Sequence, residues 1–360
     1  MAVDKHDVLV VGAGIVGVFT AYRLARAGYG VLVVERREEA GWGVTARNAG
    51  VIHVVQLPFN SLKSRLCVEG NLLYQKLDRE LGLGIKWTRA FIASTRAWSA
   101  LTARIVGSIL RRRLPSHTVR VVSGRVVREY EPLASRSIKT AVMVEGYGVV
   151  DPVALTQRIA ALAGEQGAGV MYSAPVYEIS LVGEGVVVEA GSSTIRARAL
   201  VNAAGLDADT VASLYGDTYE IIPIRGVMTI YDSAKPENIL AWLRLERKRE
   251  TKGGGIIPHP RGVLLGPNYA GAADKGDYRY SEADVRELRN RFQPLLDAGL
   301  EGDPEVLVGL RPTVASRDFI IEYSGRTRRI VNLVGIESPG LTAAPAIAET
   351  VYSMVSRVLP

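Results

Sequence analysis

Gly12-Ala13-Gly14-Ile15-Val16-Gly17 have the type and spacing to hold a pyrophosphate. Gly12 permits a tight turn out of a strand, Gly14 has no Cβ to keep phosphates from the backbone, and Gly17 lets a helix pack close to a sheet. A helix over Ile15 to Ala27 would aim its N-terminal N–H groups and positive dipole end at the phosphates. Glu35 closes the next strand, where a carboxylate can bind both ribose hydroxyls, and an acid there disfavours a 2′-phosphate. The glycine pattern alone is a weak signal. Here the apolar strand Val8 to Val11, the helix, Gly28, a second strand and the terminal acid follow in the required order, which reads as dinucleotide binding.

Two later stretches choose the dinucleotide. Ala199 to Asp209 is a short apolar strand that runs into Asn202-Ala203-Ala204-Gly205. Arg329 to Val351 is a strand, a turn through Ser338-Pro339-Gly340-Leu341-Thr342, and an Ala-rich helix with Pro345 in its first turns, where a missing N–H does little harm. That turn points a second helix N-terminus into the fold. Aimed at a flavin ring, it would stabilise negative charge on the N1/C2=O edge of the reduced cofactor, so FAD is expected rather than NAD. The competing reading is a plain surface helix.

The elements that must position these residues belong to a chain of 360 residues, enough for two domains. Hydrophobic residues make up 48% and charged residues 22%, an ordinary globular balance. No run of apolar residues is long enough to span a membrane, and no apolar leader precedes the first strand, so a cytoplasmic protein is expected. One cysteine, Cys67, excludes a disulfide framework and any thiolate cluster built by this chain alone. The net charge of +7 attracts anions: small phosphorylated or carboxylated substrates, nucleic acid or an acidic membrane. No nucleic-acid-binding signature occurs. The clusters Arg111 to Arg113 and Arg244 to Glu250 read first as solvated faces, and second as contacts to a membrane or partner.

The three stretches together resemble the FAD-dependent oxidoreductases of the D-amino-acid-oxidase superfamily. Inside it, "ARNAGVIH" (Ala46 to His53), "SLKSRLCVEGN" (Ser61 to Asn71), "VDP" (Val150 to Pro152), "IPIRG" (Ile222 to Gly226), "LLGP" (Leu264 to Pro267), "GLRP" (Gly309 to Pro312), "DFIIE" (Asp318 to Glu322) and "GIESPGLTAAPAIAE" are similar to the glycerol-3-phosphate dehydrogenase and L-2-hydroxyglutarate dehydrogenase branch. The resemblance spans the chain in order. Two departures stand out. His53 is followed by Val54 and Val55 where a small residue and glycine are usual, and the chain stops at Pro360 with no cysteine-rich extension. The electron acceptor is therefore expected to be a quinone or a partner protein.

The resemblance implies an α/β (α+β) chain, with a Rossmann-like FAD-binding domain (1–60, 141–215 and 306–360) interleaved with an antiparallel-sheet substrate domain (61–140 and 216–305). Residues 65–82 carry a helical stripe of Leu66, Leu72, Leu73, Leu77 and Leu81. Asp151 and Pro152 open another helix, as does Ser281. Residues 218–232 and 256–267 read as antiparallel strands. The Gly/Pro-rich "KGGGIIPHPRG" reads as a hairpin end or a lid.

Flavin-linked oxidation of a secondary alcohol needs a base for the hydroxyl proton and cations to hold an anionic substrate. His53 follows the apolar pair Val51-Ile52, and an imidazole exchanges protons near neutrality. It is the first candidate base, with a buried core histidine as the alternative; His259 is the reserve, and His6 and His117 are expected to be inert. Arg311 is the first candidate for an anion clamp, since its planar fork binds carboxylate or phosphate bidentately. Arg225 and Lys63 follow. Arg47, Asn48 and Ala49 are expected against the flavin, and Arg36, Thr45, Val51, Val176, Gly335 and Arg311 complete the cofactor set. Cys67 is expected to be a packed residue. The expected reaction is oxidation of glycerol-3-phosphate, or of a 2-hydroxy acid such as L-2-hydroxyglutarate. An amino-acid oxidase and a non-catalytic flavin-binding subunit are the alternatives.

Overall fold

Strand Asp4–Val11 is apolar from Val8 onward, and Val8, Leu9 and Val10 are fully buried, as a strand covered on both faces requires. In this computed structural model residues 4–96, 98–243, 254–297 and 299–359 are described. The strand pairs in parallel with Val31–Val34 on one side and Ser193–Asn202 on the other. Gly169–Met171 and Ile330–Val334 extend the sheet in parallel at its two ends, and Ile320–Tyr323 closes one edge antiparallel. Helices Ile15–Ala25, Pro152–Glu165 and Gly340–Ser356 cover one face through Phe19, Leu24, Ile159 and Ile347. On the other face, Val176–Val182 and Gly185–Ala190 fold back against the first half of Ser193–Asn202.

The second sheet runs in the order Ala270–Gly271, Ile222–Tyr231, Gly262–Gly266, Gly255–His259, Ile239–Trp242, Lys86–Ser94, Thr140–Val149, Val51–Ile52. Glu305–Thr313 joins it on Ile222–Tyr231, and Val119–Ser123 joins it on Thr140–Val149. The pairings are antiparallel except Ile239–Trp242 with Lys86–Ser94. The mixed α/β class read from the sequence is what the chain adopts. Residues 255–266 form the hairpin end, turning at Gly262 with φ of 135°; its flanking residues 252–253 and the basic cluster Arg244 to Glu250 lie outside the described residues.

The layers divide differently from the expected segments. Thr140–Val149 and Glu305–Thr313, expected to open pieces of the dinucleotide domain, pair in the second sheet. Helix Leu62–Leu81, expected with the substrate domain, packs on helix Gly340–Ser356, and its Leu66 and Tyr74 join the core of the first layer. Gly70 permits that crossing: a Cβ there would lie 2.1 Å from the Thr342 carbonyl oxygen. Two helix starts were legible: Asp151 accepts from Val153 and Ala154 N–H, and Ser281 forms a capping box with Asp284. The helix expected over residues 65–82 starts earlier, at Leu62, where Ser61 accepts from Ser64 N–H. The first helix stops at Ala25, two residues short of the expected Ala27.

Candidate active site

The turn after strand Asp4–Val11 is built for close approach. Gly12 has φ of 104°, and a Cβ on it would lie 2.6 Å from the Ala203 carbonyl oxygen, so the turn and the end of strand Ser193–Asn202 fit only with glycine there. Gly17 is equally constrained, its would-be Cβ lying 1.9 Å from the Gly12 carbonyl oxygen. Gly14 is the N-cap and offers no side chain. The Thr45 hydroxyl accepts from Ile15 N–H at 3.2 Å. The N–H groups of Gly14, Val16 and Gly17 have no partner among the described residues, which leaves a donor set at the positive end of a helix.

Glu35 stands at the end of strand Val31–Val34 and accepts from Ala13 N–H at 2.8 Å and Arg37 N–H at 2.9 Å. Val176 opens its strand two residues after Ala174, whose N–H donates to the Glu35 carbonyl. Arg36 reaches across to Asp207 at 2.7 Å, just after Ala203, Ala204 and the left-handed Gly205. These residues converge on the carboxyl end of the first sheet, and the donors and acid fit a dinucleotide's pyrophosphate and ribose.

The second helix N-terminus enters from the far end of the chain. Gly335, with φ of 72°, ends strand Ile330–Val334, and the turn leads through Pro339 to helix Gly340–Ser356. Gly340 N–H donates to the Glu337 carbonyl and Ala343 N–H to the Pro339 carbonyl. Leu341 and Thr342 N–H have no partner among the described residues. The Thr342 hydroxyl accepts from His53 N–H at 2.9 Å and lies 3.3 Å from the Val51 carbonyl. Asn48 shapes the preceding turn, donating to the Thr45 carbonyl and accepting from Gly50 N–H, and Ala49 packs into the second core.

The His53 ring is half-buried and packs edge-on to Tyr147, centroids 6.1 Å apart. Its nitrogens have no hydrogen-bond partner among the described residues. Burial pushes the imidazole down to about 4, so it is neutral at pH 7. Its carbonyl accepts from Asn71 at 3.0 Å; Asn71 also bonds Gln75 and His117. His117, expected to be inert, thus sits in the network behind His53. His259 accepts from Arg261 N–H within its hairpin. Cys67 is fully buried, and burial pushes its thiol up to about 12, so it packs as expected.

The three candidate cations separate. Arg311 lies over Gly226, where a Cβ would meet its guanidinium at 2.6 Å. It makes long bonds to the Arg225 carbonyl (3.4 Å) and the Asn268 carbonyl (3.3 Å), leaving donors to spare. Burial lowers its pKa while Glu337 opposes that shift, and a guanidinium stays charged at neutral pH. The Tyr269 ring lies 5.7 Å away, and its hydroxyl is buried with no hydrogen-bond partner among the described residues. Arg225 corrects the expectation. Ile224 is opposite Arg311 and Arg225 opposite Leu310, so alternation sends the Arg225 side chain to the other face of the strand pair, toward Asp277 at 3.7 Å. Lys63 is a second correction. It is buried, pairs with Glu337 at 3.1 Å and donates to the Arg317 carbonyl, so it holds the fold rather than a ligand. Arg47 stacks on Tyr278 at 4.5 Å and donates to the Val308 carbonyl.

Glu337, Asn71, Tyr269 and Thr313, whose hydroxyl donates to Glu337 at 2.9 Å, were missed as site residues. Glu337 lies inside the "GIESPG" turn, and Tyr269 two residues beyond "LLGP", so both sit within reach of legible motifs.

With that geometry in place, a family profile described as FAD dependent oxidoreductase (DAO) matches residues 7–354. The glycerol 3-phosphate dehydrogenase of Caloramator mitchellensis is 27% identical over 98% of this chain and 74% of its own length. The glycerol 3-phosphate oxidase of Mycoplasma pneumoniae is 24% identical over 98% of this chain and 95% of its own. A solved structure of the dithionite-reduced L-alpha-glycerophosphate oxidase of Mycoplasma pneumoniae, with FAD bound, superposes with a TM-score of 0.87, covering 98% of this chain and 95% of that one.

Proposed function

The chain belongs to the FAD-dependent oxidoreductase family, and from that premise we propose that it oxidises the secondary alcohol of a small anionic substrate, glycerol-3-phosphate foremost. The observation that carries the reading is the half-buried pair Arg311 and Tyr269: a guanidinium with spare donors beside a buried hydroxyl that has no partner among the described residues. An anionic, hydroxyl-bearing ligand satisfies both. The names of the two relatives support the same substrate.

FAD, which the Gly14, Val16 and Gly17 N–H groups and Glu35 would hold, would supply the acceptor for the hydride from the carbinol carbon. The chain's residues do the rest. Arg311 fixes the substrate's anionic end. Neutral His53 accepts the hydroxyl proton as the C–H bond breaks, so the substrate loses one hydride and one proton and becomes a ketone. An anionic substrate beside the ring raises the imidazole's basicity when it is needed. The Leu341 and Thr342 N–H groups and the positive helix end stabilise negative charge that develops near them. No described helix is long and apolar enough to cross a membrane. The electron acceptor in this reading is a quinone or a partner protein, met in the cytoplasm or at the membrane's inner face.

The test is anaerobic bleaching of the flavin absorbance by glycerol-3-phosphate, both enantiomers of 2-hydroxyglutarate and of lactate, and a set of amino acids. Bleaching by glycerol-3-phosphate supports the reading. Bleaching by a 2-hydroxy acid alone moves the substrate within alcohol oxidation. Bleaching by amino acids alone overturns it.

A further inference from the structure

Helix Ser99–Arg113 lies on the second sheet with Ala103, Gly107, Leu110 and the following Leu114 facing inward. Gly107 lets it sit close: a Cβ there would lie 2.8 Å from Val121. The outward side should then be polar. Instead it carries Trp98 (67% exposed), Leu101 (67%), Ile105 (55%) and Ile109 (45%), spaced three and four apart on one stripe. Large apolar side chains gathered on one exposed strip mark an interaction surface.

The charge around the strip says what the surface faces. From residue 81 to residue 128 there is no Asp or Glu and there are ten Lys and Arg, of which Arg89 and Arg125 pair with Glu145 and Glu129 outside the stretch. The whole chain carries +7, this stretch +10, and the rest therefore −3. On the helix itself Arg104, Arg111, Arg112 and Arg113 are exposed and make no ion pair among the described residues. At its C-terminal end Arg113 stacks over Phe59 at 5.5 Å, and the adjoining Leu57 is 59% exposed, so apolar surface and cations continue into the neighbouring loop.

We propose that this face docks the protein on an anionic lipid surface, with helix Ser99–Arg113 lying in the plane of the interface. The apolar strip enters the headgroup and acyl boundary, and the flanking arginines meet the lipid phosphates. The proposal stands on the helix alone. It also fits the proposed chemistry, because a quinone acceptor would lie in that same membrane.

The test is flotation of the flavin-loaded protein with vesicles of phosphatidylcholine containing a third phosphatidylglycerol, and with phosphatidylcholine alone. The wild type is expected to float with the anionic vesicles, remain unbound with neutral ones, and be released by high salt. Leu101→Ser with Ile105→Ser and Ile109→Ser is expected to abolish binding. Arg111→Gln with Arg112→Gln and Arg113→Gln is expected to weaken it by about tenfold or more. Flavin content and substrate-driven bleaching, read on the same samples, report separately on folding and on the proposed activity. Absence of wild-type binding to anionic vesicles overturns the proposal. So does equal binding by the serine variant, or light scattering that shows the strip to be buried between two copies of the chain.

Discussion

His53 N–H donates to the Thr342 hydroxyl at 2.9 Å although 289 residues separate the two. The bond fastens the candidate base to the first turn of helix Gly340–Ser356, whose Leu341 and Thr342 N–H groups, without partners among the described residues, form the second half of the proposed flavin site. Base and helix end therefore move together. Thr342→Val leaves the His53 N–H without its partner and is expected to cost about 1–3 kcal/mol of stability. It is also expected to lower kcat more than it raises KM, while Thr342→Ser keeps most of both. Thermal unfolding with steady-state kinetics on the two variants checks this.

Lys63 and Glu337 give a prediction of the opposite kind. Lys63 is sequestered with a carboxylate, so Lys63→Met is expected to destabilise by about 3–5 kcal/mol by taking the lysine away from the buried Glu337 carboxylate. KM in the surviving folded protein should stay near the wild-type value. Adding Glu337→Gln should recover much of the lost stability. A denaturant double-mutant cycle reads the coupling, and a large KM rise in Lys63→Met alone would return the lysine to the substrate.

Arg311 and Tyr269 are expected to carry substrate affinity. Arg311→Met should raise KM for glycerol-3-phosphate by about tenfold or more, the scale of a lost charge-assisted bond. Tyr269→Phe should cost less, with the same sign. Arg225→Met should leave KM nearly unchanged, because its side chain is turned toward Asp277. Steady-state kinetics on the three variants distinguishes the faces of that strand pair.

The pH dependence follows from His53. Its pKa is depressed by burial from about 6.5 to about 4, so the folded state favours the neutral ring. The stability this contributes is fully present above about pH 6.5. It is lost as pH falls through about 4. In kinetics, the acid limb of kcat/KM is expected near pH 4 rather than 6.5. The limb of kcat should lie at higher pH, since a bound anion raises the imidazole's pKa. A kcat/KM profile with its inflection near 6.5 would mean the ring is solvated in the free enzyme.

Much of this site was legible because its constraints are local. Gly12 and Gly17 announce a turn that only glycine permits, and Glu35, Asp151 and Ser281 mark ends that need a carboxylate or hydroxyl at fixed spacing. What the sequence hid depends on partners distant in the chain. Lys63 looks like a free cation until Glu337 arrives 274 residues later. Arg225 and Arg311 look equivalent until the register Ile224 opposite Arg311 puts them on different faces. The division of layers was misjudged at Thr140–Val149 and Leu62–Leu81 for the same reason: an apolar strand or helix does not reveal which of two adjacent cores it joins.

The most direct test of the central claim is stopped-flow reduction of the flavin by glycerol-3-phosphate without oxygen, in the wild type and in His53→Ala. The account predicts rapid bleaching in the wild type and a rate about a hundredfold or more lower in the variant, with the flavin still bound. Undiminished bleaching in His53→Ala, or a wild-type flavin that glycerol-3-phosphate leaves oxidised, would contradict it.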